Sequence, residues 1–145
     1  MNPGEIAFLN VDLDIESPSG LDAINAGFKG IACDLHEGMP VRPDPHRASY
    51  EVETDQERLP SPAARIEAFC DAIESFPLDA RRQWDAATQR VYNIGINSGT
   101  EPYHKNWTLP QSLVQRIARV GAAIELTVYR VDDDNGDSRG MLEEE

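Results

Sequence analysis

The stretch Phe8-Leu9-Asn10-Val11-Asp12-Leu13-Asp14-Ile15-Glu16 decides how the rest of the chain is read. Leu9, Val11, Leu13 and Ile15 alternate with Asn10, Asp12, Asp14 and Glu16, the period of two that marks a strand with one dry face and one wet face. A strand buried on both faces is apolar throughout. This one belongs to a sheet covered on one side, as antiparallel and mixed sheets allow.

Working outward, Ser17-Pro18-Ser19-Gly20 ends the strand and opens a short helix over residues 21–26, stopped by Gly27. Residues 31–36 read as a second strand. The three prolines between Pro40 and Pro45 exclude helix and central strand, so that stretch is a surface loop. Alternation resumes over residues 48–54, with Ala48, Tyr50 and Val52 inward and Ser49, Glu51 and Glu53 outward. Ser61-Pro62 is an N-cap followed by proline at the first helical position, and Ile66, Phe69, Cys70, Ile73 and Phe76 form one helical stripe behind it. Pro77 stops that helix. A second helical piece follows over residues 78–88, with Trp84 as its anchor. Residues 91–97 make a strand with Tyr92, Ile94 and Ile96 on one face. A third helix opens at Thr108-Leu109-Pro110, carries Leu113, Ile117 and Val120, and ends at Gly121. The last strand spans residues 123–131.

The order β-α-β-β-α-α-β-α-β predicts the α+β class: a mixed or antiparallel sheet with helices on one face, built as a ferredoxin-like βαββαβ core plus a final αβ unit. One domain over residues 1–131 is expected, followed by an acidic, flexible tail over 132–145. The opening strand, the Ser49-Tyr50-Glu51-Val52 strand before a long helix, and the helix-Gly-strand ending from Leu113 to Tyr129 resemble a domain-of-unknown-function family of small bacterial proteins, over residues 6–131. That resemblance implies a fold and a bacterial source, and it implies no activity, cofactor or catalytic residue.

The 145 residues include 26 Asp and Glu against 13 Lys and Arg, a net charge of −13. Nucleic-acid binding runs on Lys and Arg displacing counterions from phosphates, so it is not expected here. Neither is docking on an anionic membrane. The first apolar run, Ile6 to Leu9, is too short for a signal-peptide core, and no stretch reaches the ~20 apolar residues of a membrane helix. Two cysteines in no CxxC pair make neither a disulfide framework nor a zinc motif. A cytoplasmic protein is expected. The tail takes −6 of the charge and leaves −7 for residues 1–131.

Stacking the strands collects Asn10, Asp12, Asp14, Glu16, Ser49, Glu51, Glu53, Asn93, Asn97, Glu125 and Thr127 on the uncovered face. Like charges side by side weaken a sheet by roughly 0.2–1 kcal/mol per pair. Six carboxylates kept there, Asp12, Asp14, Glu16, Glu51, Glu53 and Glu125, fit a face that meets a basic protein partner. The plainer reading is a solvated face in an acidic protein that needs solubility.

A metal-binding or enzymatic alternative uses Asp34, His36, Asp44 and His46, two Asp-x-His units around the proline loop, a donor set suited to Zn, Fe or Ni. The spacing matches no known metal signature. Cys33 and His36 fall on opposite faces of a strand, which opposes a thiolate–imidazole pair. Aligning Gly136 with the sixth position of a calcium loop leaves Val131 and Leu142 where carboxylates are needed, so an EF-hand is rejected. Tyr103, His104, Lys105 and Trp107 precede a helix and either line a small-molecule pocket or plug the core. No cofactor is expected. The sequence favours a binding module over an enzyme.

Overall fold

The computed structural model describes residues 4–35, 46–53 and 58–130. The proline loop, the Asp44 and His36 positions and the acidic tail lie outside them. The elements run β1 (Ala7–Ser17), α1 (Asp22–Gly27), β2 (Ala32–Asp34), β3 (His46–Val52), α2 (Pro62–Glu74), α3 (Leu78–Ala86), β4 (Gln89–Asn97), α4 (Gln111–Arg119) and β5 (Ala123–Tyr129).

The five strands form one mixed sheet in the order β2-β3-β1-β4-β5. β1 sits at the centre, antiparallel to β3 on one side and to β4 on the other. β2 pairs antiparallel with the far side of β3, which therefore lies between β1 and β2 in a split β-α-β arrangement. β5 joins β4 in parallel after the α4 crossover. The chain is thus α+β, as its alternating strands predict.

The alternation of β1 holds from Val11 onward: Val11, Leu13 and Ile15 are buried, and Asp12, Asp14 and Glu16 are half-buried on the other face. It fails at Leu9. The register against β4 slips between Phe8 and Asn10, so Phe8, not Leu9, packs against the core. A bulge adds one residue to one strand and reverses the facing of everything before it. The Arg65 guanidinium lies over the Phe8 ring, 5.3 Å from its centroid.

The four helices of the described residues bury side chains against the Val11–Ile15 side of the sheet. The Ser61 hydroxyl caps α2 by accepting the Ala64 N–H at 3.1 Å, with Pro62 at its first turn. Phe76 falls past the C-terminus of α2, in contact with the Phe28 and Trp84 rings. α1 has no cap of its own. Gln83 of α3 supplies one, its Oε1 accepting the N–H groups of Ala23 and Ile24 while its Nε2 donates to Asp22. Trp84 is fully buried, and its Nε1–H donates to the Val120 carbonyl at 2.7 Å, tying α3 to the end of α4. Gly121, at φ +80°, makes the left-handed stop after α4.

Candidate functional site

With all the described helices on one side, the other face of the sheet has no helical cover among the described residues. The strand registers place its side chains in rows. Asp12 stands beside Asn93, and Asn93 beside Glu125. Asp14 lies between Ser49 and Val91, and Glu16 between Arg47 and Gln89. Continuing the register one step past Leu13 and Tyr50 brings Glu51 beside Asp12, with Cys33 on its other flank. The face therefore carries Asp12, Asp14, Glu16, Glu51 and Glu125 against one base among the described residues, Arg47.

Hydrogen bonds fix this face across strands. The Ser49 hydroxyl donates to Asp14 at 2.7 Å. Asn93 donates to Glu125 at 3.2 Å and accepts from the Thr127 hydroxyl at 2.9 Å. Within β1 itself the Asn10 amide donates to Asp12 at 3.3 Å. A Cβ on Gly95 would come within 2.6 Å of the Asn10 side-chain oxygen, so glycine in mid-strand lets that amide lie across β4. Arg47 pairs with Glu16 at 3.1 Å. A shallow hollow of about 220 Å³ opens among Asp14, Glu16, Arg47, Ser49, Gln89 and Glu125. Its rim is preorganised and its charge is negative.

Glu53 stands apart from these five acids. It follows the last residue of β3 and lines a second hollow, of about 320 Å³, at the β2 edge with Asn25, Lys29, Asp34 and Tyr50. There the Tyr50 hydroxyl donates to the Asn25 side chain, and burial together with the nearby Asp34 carboxylate pushes the phenol well above its usual range. The tyrosine is held protonated, as a hydrogen-bond donor.

The structure separates the candidate metal ligands it describes. Asp34 lies opposite Tyr50 and His46 opposite Ser17, at two ends of β3 about 13 Å apart along the strand. His36 and Asp44 lie outside the described residues. Among the described residues no group of three or more His, Cys, Asp or Glu side chains is placed to hold a metal ion. Cys70 is buried with its Sγ 3.6 Å from the Tyr92 hydroxyl, and burial pushes its thiol up, which makes it a poor nucleophile. Tyr103 stands 98% exposed, edge-on to His104. No described helix is long and apolar enough to cross a membrane.

Arg47 escaped the sequence reading, although the alternation that places Ser49 and Glu51 outward extends to it. The hollow escaped because it depends on which strands are neighbours. The chain matches no protein-family model, no curated protein and no solved structure.

Proposed function

We propose that this chain is a non-enzymatic binding module that docks a basic protein on the open face of its sheet. The observation behind this reading is that, among the described residues, the sheet face opposite the helices holds five carboxylates and one arginine already paired with Glu16. A surface of one sign speeds encounter with an oppositely charged partner and rejects like-charged competitors. The cross-strand hydrogen bonds hold Asp14 and Glu125 in place before a partner arrives, which lowers the ordering cost of binding. The arrangement suits a role like that of an immunity protein meeting a toxic nuclease, a comparison of charge and size and not of motif. Neither Cys33 nor Cys70 forms a disulfide, in keeping with a reducing, cytoplasmic setting.

The test is affinity capture with the tagged chain, followed by titration of the purified captured protein at rising ionic strength. Asp12→Lys with Asp14→Lys abolishes capture, and Asp12→Asn with Asp14→Asn, which keeps the hydrogen-bond acceptors, weakens it. Binding also falls with salt. Capture that survives both pairs of substitutions unchanged refutes the reading.

A further inference from the structure

The two edges of the sheet are built differently. β2 is three residues long and holds Asp34, which blunts it as an edge. β5 is seven residues long, Ala123-Ile124-Glu125-Leu126-Thr127-Val128-Tyr129, with no proline, no lysine and one charge. Ile124, Leu126 and Val128 lie on the same side as Tyr92 and Ile94 of the core, yet they are 43%, 60% and 58% exposed. A long, regular, apolar edge that no described element covers is a template for another strand.

The backbone shows which strand fits. Tyr129 gives its carbonyl to the Ser98 N–H on the β4 side. Polar groups of alternate residues point to opposite sides of a strand, so Ala123, Glu125, Thr127 and Tyr129 face β4 while Ile124, Leu126 and Val128 present their N–H and C=O groups outward. An antiparallel copy of β5 with Leu126 on the two-fold axis sets Leu126 against Leu126 and Ile124 against Val128. With the symmetry copy of the second, these are three pairs that exchange both hydrogen bonds, and all seven residues overlap. The same register joins the Ile124, Leu126 and Val128 side chains of both copies into one apolar row. Glu125 then falls opposite Thr127. Centring on residue 125 would instead oppose two glutamates, and centring on residue 127 would shorten the overlap. Charge and length of overlap select the same register.

We propose that β5 pairs antiparallel with β5 of a second copy of this chain, centred on Leu126, to make a continuous ten-stranded sheet. The dimer sets two acidic faces side by side and presents them to a partner as a bivalent surface. It stands independently of the reading of that face, because the two respond to salt in opposite ways. Two chains of charge −13 repel, so salt strengthens the dimer, while it weakens docking of a basic protein.

Sedimentation equilibrium of the full chain across a dilution series, at low and high salt, tests this. Twice the 16.1 kDa chain mass is expected, with the dimer fraction rising with salt. Leu126→Lys, at an exposed position, gives a monomer with an unchanged circular dichroism spectrum. Under mild oxidation Leu126→Cys links to itself between copies, since paired residues lie about 5.5 Å apart at Cα, within disulfide reach. Ile124→Cys does not, because its partner is residue 128. A wild-type monomer under all conditions overturns the proposal. So does a dimer that survives Leu126→Lys, or one in which Ile124→Cys links to itself and Leu126→Cys does not.

Discussion

Glu51→Gln should make the protein more stable and its face a weaker ligand. Glu51 lies on β3 beside Asp12 of β1, and among the described residues its carboxylate has no ion pair. Residues directly opposite on antiparallel strands hold their side chains about 5 Å apart. Two unit charges at that distance in water repel by about 0.8 kcal/mol. Screening at 0.15 M salt, with a Debye length of about 8 Å, reduces this to about 0.4 kcal/mol, and at 1 M to about 0.2 kcal/mol. Glutamine keeps the length and polarity of the side chain and removes the charge. With a urea m-value of about 2 kcal/mol/M, the midpoint should rise by about 0.2 M at 0.15 M salt, m staying constant, and by half that at 1 M. Equilibrium urea unfolding followed by tryptophan fluorescence measures both. A fall in the midpoint, or a rise that ignores salt, refutes the electrostatic account of this face.

Two further substitutions probe the scaffold that holds the face. Trp84→Phe removes the donor to the Val120 carbonyl and leaves a void under α3, at a cost of about 2–4 kcal/mol by thermal or chemical unfolding; a loss below about 1 kcal/mol would contradict the packing described. Arg116 of α4 bonds Asp71 and Glu74 of α2 at 2.6 and 2.9 Å, and its hydrogen bond to Glu74 holds that carboxyl below its usual 4.5. A carboxylate with a depressed folded value contributes stability above its unfolded value and loses it as pH falls through the folded one. Arg116→Met therefore costs about 1 kcal/mol or less at pH 7, and the gap to wild type closes in unfolding curves below pH 4.5. A gap that widens in acid would be contrary.

The central strand and the wet face were legible in sequence because both follow from a period of two within one segment. Strand order was not legible, since pairing β1 between β3 and β4 is a contact between residues far apart in the chain. The bulge at Leu9 was hidden for the same reason: it is defined by the partner strand, where Gly95 gives Asn10 room. Gln83 capping α1 sixty residues earlier leaves no local trace. The alternation of β5 reads like that of any half-buried strand. That its apolar row stays exposed depends on where the helices run out over the sheet edge. Glu53 kept its phase but passed the end of its strand, and so left the face.

The most direct test of the account is to place a photo-cross-linking residue at Gln89, exposed beside Glu16 at the rim of the open-face hollow, and another at Glu67, exposed on α2. Illumination of living cells expressing each variant, followed by mass spectrometry, identifies what touches each surface. The account predicts a single basic protein joined to residue 89, absent from residue 67, and lost when Asp12→Lys and Asp14→Lys are added. An adduct shared by both positions, a partner that is acidic, or an adduct unaffected by charge reversal would contradict it.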